Sequence, residues 1–382
     1  MFHQLPTIAV LGALLLPDAG FFAAAEPDPS ASLSAVAKPL LGEQLLREFE
    51  PDLRGRPDKL PTYLQQFRRA VIRDPRLFAF EVQAEWLDER TVRLTGCVEF
   101  AEHRAALLEL LQELGFAHVD DRLESLPSTQ LGTQRFGFIR VSHTFAYDRP
   151  TGERSVENDC LLGEPVALLR EAEAGYFLCH CGEGYLGYVA ASDIRRVDEA
   201  EFVHYQDGQQ VRLRENHADG AGLLPMGARL KCTSQTHDAV QVLLPTGETA
   251  SVPSGKCEVD APACHPAVER AIAAGMRLKG APYLWGGRTS AGVDCSGLVQ
   301  TAFGTAGIRL PRDSDQQACV GRLTATRWSR AGLRRGDALF FLRADGRVGH
   351  TAIYLGDDQY LEAVRPAVQI TSFNPQHPNY SA

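Results

Sequence analysis

Asp294-Cys295-Ser296-Gly297 constrains the fold more than any other stretch of this chain. After Cys295, the apolar residues Leu298, Val299, Ala302 and Phe303 recur at helical spacing, and Gly304 or Gly307 ends the run. Asp294 is a natural N-cap. Cys295 therefore falls in the first turn of a helix, where unpaired N–H groups and the helix dipole favour the thiolate, the nucleophilic form. The backbone N–H of Cys295 points where an oxyanion would develop. A preceding amphipathic helix is predicted over Pro266–Lys279, with Val268, Ile272 and Met276 on one face and Gly280 at its end. Downstream, the apolar strand Asp337–Leu342 and the turn Arg343–Gly349 lead to His350, at the mouth of a second apolar strand. A helix-borne thiol and a strand-borne imidazole can meet as nucleophile and base.

Glu362 offers a third group. If Gly356-Asp357-Asp358 is a hairpin loop, Leu355 pairs with Gln359 and Glu362 lies opposite Ala352. Glu362 then shares the face of His350 and is diagonal to it, within reach of a long side chain. A carboxylate there would hold the imidazole N–H and stabilise an imidazolium. The alternative is a solvated strand glutamate.

The chain has 382 residues, room for two to four domains. Its net charge is −9 and it has no dense Lys/Arg block, which argues against a nucleic-acid partner. Residues 1–25 read as a signal peptide: Thr7–Leu16 forms an apolar core, and Ala23-Ala24-Ala25 a cleavage site. The core is too short for a transmembrane span. No Lys or Arg precedes it, so a mis-assigned start is the alternative. An exported, periplasmic or extracellular, monomeric protein is expected, with a cytoplasmic one if the segment is not cleaved. Nine cysteines leave at least one thiol unpaired. Cys179 and Cys181 face the same way on a predicted strand. No CxxC pair exists, so neither a metal site nor a cofactor is expected.

Residues 26–41 are a linker rich in Ala, Ser and Pro. Residues 42–130 read as a small α/β domain. Helical spacing covers 42–73, alternating strands follow at 78–86 and 91–96, then a helix at Ala101–Leu114 and a strand at 117–119. This β-β-α-β unit resembles BON domains of envelope proteins; an unrelated α/β domain is the alternative. Residues 136–197 and 200–259 carry short strands separated by turn residues. Gly163-Glu164-Pro165-Val166 followed by Gly184-Tyr185-Leu186-Gly187-Tyr188-Val189 resembles bacterial SH3-like barrels, and the second block repeats the pattern loosely.

Residues 265–382, with Tyr283-Leu284-Trp285-Gly286-Gly287, Asp294-Cys295-Ser296-Gly297 and the Gly349–Asp357 run, resemble the NlpC family of cell-wall cysteine peptidases. The resemblance implies a papain-like catalytic domain, and so an α+β multidomain chain with two all-β SH3-like barrels and a small α/β N-terminal domain. It implies Cys295 as nucleophile, His350 as base, and Glu362 where the family usually has His, Asn or Gln. The subset with upstream barrels resembles γ-D-glutamyl-L-diamino acid endopeptidases, which cut murein peptides bearing a free N-terminal L-Ala. That resemblance implies Tyr283 facing the reacting carbonyl and Trp285 lining the pocket. Asp294, Ser296 and Ser314 would hold L-Ala-γ-D-Glu. Glu157 and Tyr185 would bind the free amine, with Tyr147 as a further pocket residue. A carboxylate facing an ammonium would refuse N-blocked peptides. Two alternatives stay open: a wall hydrolase acting on glycan-attached stems, and an inactive envelope-binding protein.

Overall fold

The computed structural model describes residues 8–12, 57–88, 91–116, 118–220, 222–259 and 267–380. The expected leader, the linker and residues 42–56 of the expected helical stretch therefore lie outside the described residues, apart from Ile8–Gly12. No helix among the described residues is long and apolar enough to cross a membrane.

The chain divides into two compact units. In the first, Phe80–Asp88 and Thr91–Val98 pair antiparallel, and His118–Ser125 joins Thr91–Val98 in parallel. A parallel neighbour needs a crossover, which the helix Ala101–Glu113 supplies. Leu107, Leu110 and Leu111 of that helix meet Leu60, Tyr63 and Phe67 of the helix Leu60–Val71 in one apolar core with Val92 and Leu94.

The second unit begins with a seven-stranded antiparallel module. Its strand order is Ile194–Val197, Phe136–Ile139, Pro165–Ala172, Tyr176–His180, Leu186–Ala190, His143–Tyr147, Val156–Leu161. The short helix Glu199–Gln206 follows. It was not foreseen, because its eight residues are too few to show a clear period. Asp198 caps it by accepting from the Glu201 N–H at 2.9 Å, and Phe202 stacks on Phe136 and Phe138. A five-stranded antiparallel module comes next, in the order Thr249–Pro253, Ala239–Leu243, Arg229–Gln235, Gln210–Leu213, Cys257–Val259.

The C-terminal part is an antiparallel sheet with helices packed on it. Its strand order is Arg322–Thr326, Ile8–Gly12, Ala338–Leu342, Val348–Gly356, Gln359–Ala363, Val368–Ser372. The helices Ala267–Arg277 and Cys295–Thr305 bury Ile272, Leu298, Val299, Ala302 and Phe303 against Phe340, Ile353 and Leu361. Gly307, at φ +92°, stops the second helix, and the Ile308 N–H returns to the Phe303 carbonyl. Ile8–Gly12 pairs with strands on both sides, although the sequence suggests the core of a leader. A short apolar run serves either purpose, and only the available strand edges decide.

Two boundaries differ from expectation. His350 is the third residue of its strand, which starts at Val348. The hairpin turn is Asp357-Asp358, both in the left-handed region, and Gly356 rather than Leu355 pairs with Gln359. A two-residue turn of this hand matches strand twist, and Asp tolerates it. Beyond the bulge, Tyr354 pairs with Tyr360 and Ile353 with Leu361, as the sequence register requires.

Candidate active site

Cys295 is the first residue of its helix, capped by Asp294, whose Oδ1 accepts from the Gly297 N–H at 2.7 Å. His350 lies beside Cys295, and its Nε2 is 2.8 Å from Glu362 Oε2. The carboxylate can only accept, so Nε2 carries the proton and the other ring nitrogen serves the thiol. Burial alone would lower the imidazole pKa. The hydrogen bonds and charges of Cys295 and Glu362 outweigh it and raise the value to about 9. Burial likewise pushes Glu362 upward, yet the bonds and charge of His350, Thr371 and Gln369 hold its carboxyl below the ordinary range. Glu362 is buried, and Thr371 donates to its second oxygen.

Tyr283 borders the thiol: burial, then the charges of Cys295 and Asp294, push its phenol up to about 12. The phenol therefore keeps its proton and can donate. Trp285 is 58% exposed, on the open rim.

Asp294 is more fully engaged than a ligand residue would be. Its two oxygens accept from the N–H groups of Gly286 and Gly297, from Ser296 Oγ, and from both terminal nitrogens of Arg312. Five donors leave little capacity for substrate, so here Asp294 shapes the helix start. Ser296 Oγ also accepts from Arg312 Nη1 at 2.9 Å. Ser314 is half-buried at the start of the short helix Ser314–Gln317.

Arg312 went unassigned in the sequence, although Pro311-Arg312-Asp313-Ser314 is adjacent to the expected ligands. It is 1% exposed and reaches three ways: to Asp294, to Ser296, and through Nε to Asn158 Oδ1 of the seven-stranded module at 3.0 Å. A second buried arginine makes the same kind of link. Arg288 bonds the Asp159 carbonyl at 3.0 Å and Glu164 Oε1 at 2.9 Å. Between these anchors Gly286, at φ +78°, touches Val156, where any Cβ would stand 2.3 Å from a Val156 methyl.

The seven-stranded module thereby presents Glu157 and Tyr185 at the site. Tyr185 Oη lies 3.2 Å from Glu157 Oε2 and 3.0 Å from Asp313 Oδ2. One phenol proton serves one carboxylate at a time, so two carboxylates around it favour a cation. Burial raises the Glu157 pKa; the Tyr185 bond opposes this and the charge of Asp313 adds to it. Asp313 is the member that sequence reasoning missed. Tyr147 pairs with Val156, the residue that meets Gly286, and Arg154 lies over its ring at 3.9 Å.

Residues 280–381 match the family model of the NlpC/P60 family. A γ-D-glutamyl-L-lysine dipeptidyl-peptidase of Bacillus cereus (strain ATCC 10987 / NRS 248) is 32% identical over 155 residues, 38% of this chain and 45% of its own. The present chain thus spans less than half of that relative. Dipeptidyl-peptidase 6 of Lysinibacillus sphaericus is 26% identical over 255 residues, 61% of this chain and 90% of its own. Peptidoglycan endopeptidase RipB of Mycobacterium tuberculosis (strain ATCC 25618 / H37Rv) is 34% identical over 142 residues, 33% of this chain and 56% of its own. The crystal structure of an NlpC/P60 family protein from Bacillus cereus ATCC 10987 superposes with a TM-score of 0.56 at 23% identity. It covers 64% of this chain and 96% of that one, and the shared architecture is the mixed α+β, papain-like NlpC/P60 fold.

Proposed function

From the NlpC/P60 domain that this chain carries at its C-terminal end, we propose a cysteine peptidase acting on bacterial cell-wall peptides. Its substrate in this reading is a murein peptide with a free N-terminal L-Ala, cut between γ-D-Glu and the diamino acid. The observation that carries the specificity is the Glu157–Tyr185–Asp313 group, joined to Asp294 and Cys295 through Asp313 and Arg312. An ammonium is opposite in charge to the two carboxylates that flank the Tyr185 phenol. The names of the Bacillus cereus and Lysinibacillus relatives point the same way.

The chemistry follows from the geometry. The Cys295 thiolate attacks the γ-carbonyl carbon of D-Glu, and the oxyanion meets the Cys295 N–H and the Tyr283 hydroxyl. His350, as imidazolium, protonates the leaving amine of the diamino acid. It then takes a proton from water, which hydrolyses the thioester and frees Cys295. Glu362 stabilises the imidazolium throughout. Ser314 offers its hydroxyl to the D-Glu α-carboxylate, the Ser296 hydroxyl being engaged by Asp294 and Arg312, and Trp285 offers an apolar wall.

In this reading the seven- and five-stranded modules are SH3-like barrels and residues 42–130 a separate small α/β, BON-like domain. The protein is exported as a monomer with cleavage near Ala25. Cleavage would remove the Ile8–Gly12 strand, so the N-terminal residue of the mature protein tests this directly. The activity itself is tested with L-Ala-γ-D-Glu-diaminopimelate against its N-acetylated form. Selective cleavage of the free-amine peptide, lost in Cys295→Ala, is expected. Equal cleavage of both peptides would remove the amine reading, and hydrolysis by the alanine variant would remove the thiol mechanism.

A further inference from the structure

We propose that Thr371 is a positioning residue of this site: its hydroxyl fixes the Glu362 carboxylate in the orientation and charge state that keep His350 an imidazolium beside Cys295. The inference rests on the cysteine-peptidase reading and adds a residue that the family pattern around Cys295 and His350 does not contain.

The strand Val368–Ser372 closes the edge of the sheet next to Gln359–Ala363. Glu362 pairs with Gln369, and Tyr360 with Thr371. Alternate residues share a face, so Thr371 lies diagonal to Glu362 on the same side. Both are buried, at 2% and 6% exposure, where a carboxylate oxygen without a donor is expensive. Glu362 divides its oxygens: Oε2 faces His350 Nε2 at 2.8 Å, and Oε1 accepts from Thr371 Oγ1.

The direction of the chain is also set. Gln369 Nε2 donates to Thr371 Oγ1 at 3.4 Å, occupying an acceptor site of the hydroxyl. The hydroxyl proton is thereby directed to Glu362. Hydrogen bonds then run from the exposed Gln369 amide through Thr371 to Glu362, and from His350 back to the same carboxylate. Groups of this kind polarise one another in a low-dielectric setting. The other titratable groups facing the pair are Cys295 from its helix and Tyr360 from the strand of Glu362; the ring of Phe341 packs on His350 at 5.3 Å. Besides His350, the side chains that bond Glu362 are Thr371 and Gln369.

Removing the hydroxyl takes its bond from Oε1 and leaves the Gln369 side chain as the remaining donor beside His350, a weaker hold that favours the neutral carboxylic acid. A neutral Glu362 no longer offsets the imidazolium charge. Valine keeps the β-branched shape, so Thr371→Val removes the bond with little change in volume, and Thr371→Ser keeps the bond.

The test measures kcat and KM of the full chain on the free-amine peptide across pH. For Thr371→Val, kcat is expected to fall about tenfold with KM nearly unchanged. The active pH range narrows from both sides: Glu362 becomes harder to ionise, moving the acid limb up, and His350 loses its proton more readily, moving the alkaline limb down. Thr371→Ser restores both limbs. A Thr371→Val enzyme with the unaltered pH profile, or a serine variant as impaired as the valine one, overturns the inference. If the valine variant does not fold, Thr371→Ala serves instead: the same narrowing supports the proposal, and an unmoved profile overturns it. A readout independent of turnover is the His350 titration by NMR in Cys295→Ala, expected to fall with Thr371→Val and to hold with Thr371→Ser. Because it needs no activity, failure of the peptidase reading leaves this arm intact, and equal titrations in all three proteins overturn the clamp alone.

Discussion

The seven-stranded and five-stranded modules share a texture of short strands and tight turns, yet they bury different things. The five-stranded module closes around Val211, Leu213, Leu230, Val240, Val242 and Val252, an apolar core. Its ion pair to the C-terminal domain, Glu258 with Arg270, is about one-fifth exposed on each side. The seven-stranded module buries Asn158 and Asp159 completely and pairs Glu164 with a nearly buried Arg288. Removing charges from water is costly unless each finds partners, and here His143 and Glu183 of the module share that work with Arg288 and Arg312 of the neighbouring domain. One module is held by ordinary packing. The other has its polar interior completed by the NlpC/P60 domain, and it carries the Glu157–Tyr185 group.

The contrast can be broken by experiment. The largest effect is expected for Arg312→Met, which leaves Asp294 buried without its counter-charge. Urea unfolding should show a loss of roughly 3–5 kcal/mol, the usual result of removing one partner of a buried pair. Arg312→Lys should not restore it, since an ammonium cannot make the two-pronged contact. Next is Glu157→Gln, expected to raise KM for the free-amine peptide about 10- to 100-fold while leaving cleavage of an N-acetylated peptide unchanged. If both substrates suffer equally, the seven-stranded module is a structural support like its neighbour.

A smaller effect belongs to the five-stranded module. Val242→Ala, at a fully buried position, should lower stability by about 1–2 kcal/mol with kcat/KM unaltered. A change in substrate preference there would erase the distinction between the modules. The finest test is pH. The Glu157 pKa is raised, chiefly by burial, so its charge disappears at a higher pH than that of an ordinary glutamate. As pH falls, KM for the free-amine peptide should therefore rise before any carboxylate of ordinary pKa titrates, and Glu157→Gln should abolish that rise. On the alkaline side, kcat/KM should decline near pH 9, where His350 loses its proton, and Glu362→Gln should move that decline lower.

Much of the catalytic arrangement was legible because it depends on short-range rules. Asp294 caps the helix that Cys295 opens, as a side-chain acceptor before an apolar helical run requires. The strand register from Tyr354–Tyr360 inward brings Glu362 to His350, even though the turn itself is one residue tighter than the sequence suggests. What was not legible lies where distant segments meet. Asp313 joins Tyr185 from 128 positions away, and Arg312 reaches Asn158 across 154. No periodicity marks an arginine for burial. For Asp294, the family resemblance implied a substrate ligand, but only the convergence of Gly286, Gly297, Ser296 and Arg312 reveals how completely it is engaged.

The sequence by itself determined the thiol at a helix start, the histidine on an apolar strand and a carboxylate within its reach, because caps and strand periodicity act over a few residues. Tertiary structure alone decided that Arg288 and Arg312 tie the seven-stranded module to the catalytic helix, that Asp313 joins Glu157 and Tyr185, and that Thr371 backs Glu362. Buried charges must be satisfied in three dimensions, and the partners that satisfy them need not be near in the chain.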